Sequence, residues 1–345
     1  MRVSGMRGLR VLQAGPAMAI QDLGRPGYLA KGLTRGGASD VRAVHEGAAL
    51  LRQDAGLAVL EMVGTGGTFE AMDDLRIALT GAVMTAQVDG SALVWNASHA
   101  LPKGAKLTIG PTRSGTYGYL HIGGGIATDT VLGARAAHLS CGLGALVRKD
   151  DMLPAGADKG KDVGMTLPVD PRLNGGAVRI VPSMQTEDFD PAVRARFEET
   201  EFRRDPRANR QGVRLDSDGE GFSNPKALSI VSEVIVPGDI QITGDGTPFV
   251  LMAECQTTGG YPRIGTVLPC DLPRVAQAPA GTGLRFQFVS LEDGAAIQAR
   301  AQADLLKLPG TVSPLVRDPA LMQDLLSYQL IGGVVSATHS VLDEG

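Results

Sequence analysis

The chain has 345 residues, 43% hydrophobic and 20% charged, with a net charge of −4. That is a globular protein with material for about two domains, and its interleaved charges leave no basic face for a nucleic-acid backbone. Its three cysteines, Cys141, Cys255 and Cys270, are odd in number and lack CxxC spacing, which points to a reducing, cytoplasmic setting; the apolar runs all break before about 18 residues, so neither signal peptide nor membrane span is expected.

A first strand is expected in GLRVLQAGP at 8–16, and AIQDLGRPGY at 19–28 then gathers Gln21, Asp22 and Arg25 into one glycine-rich turn. DVRAVHEGAALLR places Val41, Val44, Ala48 and Leu51 on one face behind Asp40, the pattern of an amphipathic helix with an Asp N-cap. Leu75, Ile77 and Leu79 alternate in LRIALTG, the period of a half-buried strand. Beyond a lysine-rich connector, GADKGKD at 156–162, the chain begins to repeat itself. AVRIVPSMQ at 177–185 lies over 8–16, Arg210 and Gly212 of NRQGVRL over Arg25 and Gly27, Glu233 over Glu61, and 278–287 over 101–110. Four pairs in the same order imply two homologous domains, meeting between Pro154 and Gly176. The expected boundaries are 8–165 and 176–300, with a C-terminal extension at 301–345. DPAVRARF and DPALMQDLL each begin Asp-Pro, with proline at the first helical position, so each repeat is expected to carry one helix. Leu284, Phe286 and Phe288 alternate near the end of the second repeat. Short strands between glycine turns fit a barrel or sandwich.

Familiar catalytic signatures are missing. GADKGKD is not a P-loop, and GTGGT at 64–68 lacks the third glycine and following helix of a dinucleotide fingerprint. GxSxG and HExxH are absent and His45, His99, His121, His138 and His339 are scattered, so no metal site is expected. What remains are polar residues in glycine-rich turns: the Gln21–Arg25 turn, and CQTTGGYPRIG at 255–265 after SEVIVPGDIQITGDG at 232–246. Glycines there let backbone N–H groups approach an anion or a polarised carbonyl, and arginine adds a planar fork for carboxylate. The alternative is structural: Asp22 caps a turn and pairs with Arg25, and 255–265 is a bulged barrel corner without a ligand.

Three long strings carry a resemblance: IQDLGRPGY; SGTYGYLHIGGGI with VLGAR; and VPGDIQITGDGTPFVLMAECQTTGGYPRIGTV. Together, from about Leu9 to Val289, they resemble the biotin-dependent carboxyltransferase or allophanate hydrolase subunit 2 family, which includes the C-subunit of the ATP-dependent 5-oxoprolinase and half of the carboxyltransferase region of urea carboxylase. The resemblance implies a mainly β fold of two tandem cyclophilin-like β-barrel domains with a few peripheral helices. It also implies a component that opens 5-oxoproline to glutamate with ATP and Mg²⁺ at the level of a complex. The partners would be a smaller cyclophilin-like subunit, similar to the B-subunit of 5-oxoprolinase, and a lactam-hydrolase subunit. Two alternatives stay open: a carboxyltransferase component served by a biotin carrier and acting on urea or another amide, and a non-catalytic regulatory binding partner.

On these motifs, Gln21, Asp22, Arg25 and Asp40 are the expected catalytic residues. Gln256, Thr257, Thr258, Gly259, Gly260 and Tyr261, with Arg210, are expected to bracket a small amide, Tyr261 as a wall. Arg263 either reaches an anionic group or lies on the surface. Two departures stand out. GGASD at 36–40 lacks the leading serine of the family string, and Glu254-Cys255 replaces the aspartate and arginine that usually precede QTTGGYP.

Overall fold

The structure, a computed structural model, describes residues 7–223 and 232–316. Ten strands of the first half build a sheet: β1 (Gly8–Gln13), β2 (Met18–Gln21), β3 (Val59–Val63), β4 (Thr68–Ala71), β5 (Leu75–Val88), β6 (Ser91–Ala92), β7 (Ala97–Leu101), β8 (Lys106–Ile122), β9 (Met152–Pro154) and β10 (Met165–Thr166). The two long strands organise it. β5 pairs with β8 from Ile77↔Ile122 to Val88↔Leu107, with irregular register between Gly81 and Ala86. Gly81 sits at φ +74, and a Cβ there would lie 2.5 Å from the Tyr117 carbonyl oxygen, so the ladder bends where only glycine is accommodated. β8 then pairs with β3 at one end and β4 at the other, wrapping the sheet round a core that includes Leu9, Val11, Phe69, Ile77, Leu79 and Leu120.

The helix expected after Asp40 is present. In α1 (Val41–Leu51) the Asp40 side chain accepts from Ala43 N–H at 3.0 Å, and Val44, Ala48 and Leu51 are buried while Val41 is 38% exposed. Gly47 costs this helix roughly 1 kcal/mol relative to alanine. It is there because a Cβ would stand 2.2 Å from the His121 ring, so glycine lets α1 lie directly on the sheet.

The second half forms a closed barrel from β11 (Gly176–Val181), β12 (Phe202–Arg204), β13 (Gly212–Asp216), β15 (Asp239–Ile242), β16 (Pro248–Leu251), β18 (Arg263–Val267) and β19 (Gly283–Phe288), while β14 (Glu233–Val234) pairs with β17 (Thr258–Gly259) beside it. β11 runs parallel to β19, and the other barrel pairings are antiparallel. α2 (Pro191–Glu199), capped by Asp190 on Ala192 N–H at 2.8 Å, drops Phe197 onto Phe202, Phe222 and Phe286 at ring distances of 4.8–5.5 Å. Each phenylalanine buried this way removes about 1.5–3 kcal/mol worth of apolar surface from water.

The expected mainly β architecture, with few helices set around two tandem β units, is what forms. The second half exceeds the one helix per repeat that its sequence suggested, carrying α3 (Leu272–Gln277) and α4 (Leu291–Lys307) besides α2. After α4 the chain returns to the first sheet, where β20 (Ser313–Pro314) pairs with β10. DPALMQDLL and LLSYQLIGGVV lie outside the described residues. Of the paired strings, 8–16 and 177–185 both open their sheets, but Glu61 lies on β3, within the first sheet, whereas Glu233 lies on β14, outside the barrel ladder.

Candidate functional site

The QTTGGYP segment crosses one mouth of the barrel. Thr258 and Gly259 are tied into the β14–β17 ladder, and the Thr257 carbonyl accepts from Ile235 N–H at 3.1 Å. Only the ends of the segment reach a cavity of about 480 Å³: Cys255 and Gln256 on one side and Tyr261, half exposed, on the other. The carboxamides of Asn209, Gln211 and Gln241 also line it, above Ile235, Phe249 and Leu251, with Arg207 and Arg214 among its walls. Gln241 is 8% exposed and its Nε2 has no partner among the described residues. A buried donor in that state is costly unless something else accepts from it. Thr257, Thr258, Gly259 and Gly260 are not among the residues lining the cavity; the first three spend their backbone on β14 and Ile235. Gly259 still shapes it, since a Cβ there would come 2.5 Å from Gln241 Nε2.

Of the two expectations for Arg263 the surface one is corrected: it reaches anionic groups, and they are carboxylates of this chain. It is buried and reaches inward, donating to Gln185 Oε1 at 3.1 Å and pairing with Glu233 at 2.5 Å and Asp239 at 3.4 Å. It holds the strap to the barrel rather than meeting solvent. Cys255 is 4% exposed, and burial pushes its thiol pKa up to about 12. The position therefore supplies no cation and no thiolate near neutral pH.

The Gln21–Arg25 turn is buried against the loop at 131–137. Gln21 Nε2 donates to the Ala137 carbonyl at 3.2 Å, Asp22 accepts from Gly24 N–H at 2.8 Å and Arg135 N–H at 2.6 Å, and Arg25 donates to the carbonyls of Val131 and Ala136. Asp22 thus caps the turn, as the structural alternative required, but Arg25 is not paired with it. Arg25 is 2% exposed, and neither its Nη1 nor Gln21 Oε1 has a hydrogen-bond partner among the described residues. Asp40 is drawn into the junction between the sheets, where its carboxylate meets Arg172 Nε at 2.8 Å and Gln277 Nε2 at 2.8 Å. That carboxylate is fully engaged in joining α1 to the second half.

Arg210 makes the densest junction. Its guanidinium donates to Glu254 Oε1 at 2.5 Å, Glu61 Oε1 at 2.5 Å, Ser39 Oγ at 2.9 Å and the Gly37 carbonyl at 2.5 Å. Glu61 in turn accepts from Tyr119 Oη at 2.7 Å and Ser39 N–H at 2.8 Å. Nearby, Gly36 N–H donates to the Ala253 carbonyl at 3.2 Å, and Thr34 Oγ1 to that of Cys255 at 3.0 Å. Residues 34–39 therefore bridge the Gln21–Arg25 turn and the QTTGGYP segment, bringing both sequence motifs to one junction. A second cavity, of about 510 Å³, opens there between the sheets; it shares Asn209 and Gln211 with the first and is lined also by Glu61, Tyr117, Ser140 and Glu254. Sequence reasoning singled out Arg210 but missed Glu61 as its partner, and it missed Gln241 and the carboxamides of Asn209 and Gln211 on either side of Arg210. Glu254 alone had a signal, its departure from the family string.

Residues 31–288 match the family described as carboxyltransferase domain, subdomain A and B. A 5-oxoprolinase C-subunit of Escherichia coli is 32% identical over 296 residues, 85% of this chain and 94% of that protein. The Haemophilus influenzae protein of the same name is 27% identical over 84% of this chain and 94% of its own. The solved urea carboxylase of Kluyveromyces lactis superposes with a TM-score of 0.77 at 18% identity, covering 91% of this chain but 31% of that one, and so speaks for the fold alone. The match runs through the barrel, the Arg210 junction and both cavities, and on it this chain belongs to the carboxyltransferase domain subdomain A and B family.

Proposed function

We propose that this chain acts as the C-subunit of an ATP-dependent 5-oxoprolinase complex, contributing the cavity that holds the cyclic amide while partner subunits contribute the rest of the site. One observation carries the reading: the cavity beneath QTTGGYP presents the carboxamides of Asn209, Gln211, Gln241 and Gln256 over an apolar floor, with Gln241 Nε2 unsatisfied among the described residues. A lactam offers one N–H donor and one C=O acceptor in a plane, and a carboxamide is complementary to both. The ligand's carboxylate suits Arg207, whose side chain is 71% exposed at the cavity wall while its Nε and Nη2 hold the buried Asp205 carboxylate; the other guanidinium N–H groups of the planar fork are left for an incoming carboxylate.

The described residues offer no clustered set of ligands for Mg²⁺. Among the described residues no three His, Cys, Asp or Glu side chains gather as a metal cage, and the sequence has no P-loop. The reading therefore assigns the nucleotide to the partners, a smaller cyclophilin-like subunit and a lactam-hydrolase subunit. Phosphoryl transfer from the nucleotide would supply the activation that an unreactive amide oxygen needs. The residues of this chain bind and orient the ring.

The test is reconstitution. ATP hydrolysis dependent on 5-oxoproline should need all partners. Gln256→Ala and Gln241→Leu should each raise KM about five- to tenfold, the size of one net hydrogen bond. Unchanged KM and kcat in both variants refute the cavity assignment. The carboxyltransferase family match, with the amide-suited cavity of this chain, favours a second reading in which a biotin carrier delivers a carboxyl group to a small amide. Loss of turnover on adding avidin would decide for it.

A further inference from the structure

The loop at 138–140 carries a hydrogen-bonded array that the amide cavity does not use. Ser140 Oγ lies 3.1 Å from His138 Nδ1, His138 Nε2 lies 2.9 Å from Thr34 Oγ1, and Thr34 Oγ1 donates to the Cys255 carbonyl at 3.0 Å. The direction of the array follows from its far end. Thr34 has one hydroxyl hydrogen and gives it to the carbonyl, so its oxygen accepts from Nε2–H and Nδ1 is left as the bare, basic nitrogen. Ser140 has two acceptors within reach, that nitrogen and the Glu254 carbonyl at 3.2 Å. Of these only the imidazole can take the proton away.

The surroundings suit that transfer. His138 is 1% exposed, and burial draws its pKa below the usual value, so the ring is neutral and able to accept. The charges facing it are Glu254, which favours the imidazolium, and Arg25 and Arg210, which oppose it. Glu254 Oε2 stands 4.0 Å from Nδ1 and also accepts from Ser140 N–H at 3.1 Å, so it steadies both members of the pair. Ser140 itself is exposed and lines the inter-sheet cavity of about 510 Å³, with apolar Leu139 and Leu146 beside it. A hydroxyl with a fixed base behind it and an open cavity before it has the arrangement of an activated nucleophile.

We propose that Ser140 is a covalent acyl acceptor, with His138 as its general base and Thr34 as the positioning residue that sets the imidazole tautomer. The substrate class is a small ester or activated acyl compound entering the inter-sheet cavity. The Ser140 Oγ–H proton passes to His138 Nδ1 as Oγ bonds to the acyl carbon; His138 then gives that proton to the leaving oxygen as its bond to the acyl carbon breaks, releasing an alcohol or phenol and restoring the neutral ring. Water then adds to the acyl-serine, giving its proton to His138 as the base; the carboxylic acid departs and Ser140 regains its proton. No oxidant or cofactor is needed.

The experiment uses the full chain alone, so it is independent of the 5-oxoprolinase reading and of any partner. The protein is treated with p-nitrophenyl acetate between pH 5 and 9, and adducts are located by peptide mass spectrometry. An acetyl adduct is expected on the peptide containing Ser140, forming more slowly as the pH falls through the His138 titration. It should be absent in Ser140→Ala and formed at least tenfold more slowly in His138→Gln. Thr34→Val, which replaces the hydroxyl with a methyl group of similar size, should slow it several-fold and change its pH profile, so the proposal stays testable if His138→Gln does not fold. Absence of a Ser140 adduct in the wild type, or equal rates in the wild type and Thr34→Val, would overturn it.

Discussion

Replacing Arg210 with methionine gives the sharpest test of how the two halves hold together. The Arg210 side chain is 10% exposed, and its partners Glu61 and Glu254 are 2% exposed. Methionine keeps the stem and removes the charge, leaving two buried carboxylates without their shared cation. Glu61 retains Tyr119 Oη and Ser39 N–H, and Glu254 retains Ser140 N–H, so neither loses every partner. Breaking a buried pair by deleting one member costs about 3–5 kcal/mol, mostly the burden of the stranded charge. Adding Glu61→Gln and Glu254→Gln to Arg210→Met removes both charges and should recover most of that loss, since neutral replacement of a buried triad is often close to neutral in stability. Urea unfolding can be followed by the fluorescence of Trp95, the sole tryptophan, buried in the first core, and by far-ultraviolet circular dichroism for both halves. A loss under about 1 kcal/mol in Arg210→Met, or a triple variant no more stable than the single one, would refute the reasoning.

Two further outcomes follow from buried titratable groups. His121, fully buried with Nε2 2.8 Å from Thr80 Oγ1, has its pKa lowered by burial to about 3. Unfolded histidine titrates near ~6.5, so the unfolded chain takes the proton first; this contribution is complete above that pH and is lost as the pH falls from ~6.5 towards 3, by up to ~1.4 kcal/mol per unit. His121→Gln should flatten the pH dependence of unfolding free energy over that window, and an unchanged slope would count against the assignment. Of the thiols, exposed Cys141 should react with Ellman's reagent in the native protein, while buried Cys255 reacts only on unfolding; native labelling of Cys255, read by peptide mapping, would contradict its burial.

Local signals in the sequence served the elements well. Alternation marked β5 and β19, and Asp40 and Asp190 marked the starts of α1 and α2 because an N-cap is a contact between residues two or three apart. α4 had its own signal, Ser290 accepting from Asp293 N–H at 3.0 Å, but its apolar face is weak and glycine at 294 breaks the pattern. The junction had no such signature. Arg210 meets residues 149 and 171 positions away, and only the folded chain sets those distances. For QTTGGYP, composition suggested a continuous ligand-facing segment, yet the ends alone reach the cavity; pairing with β14 is a long-range choice that residue chemistry does not reveal.

The pairing of β20 with β10 has a consequence for the newborn chain. β10 leaves the ribosome roughly 150 residues before β20, an interval of about 7 to 30 s at ~5–20 residues per second. During it the first sheet has an open edge at Met165 and Thr166, and Asp40, Glu46 and Glu61 wait for Arg172 and Arg210, which come from the half still being made. Arg172 arrives almost at once; Arg210 follows within seconds, and the edge is sealed last. The first half is therefore completed in stages set by translation, and a chaperone working on the nascent chain would find the β10 edge open throughout that interval.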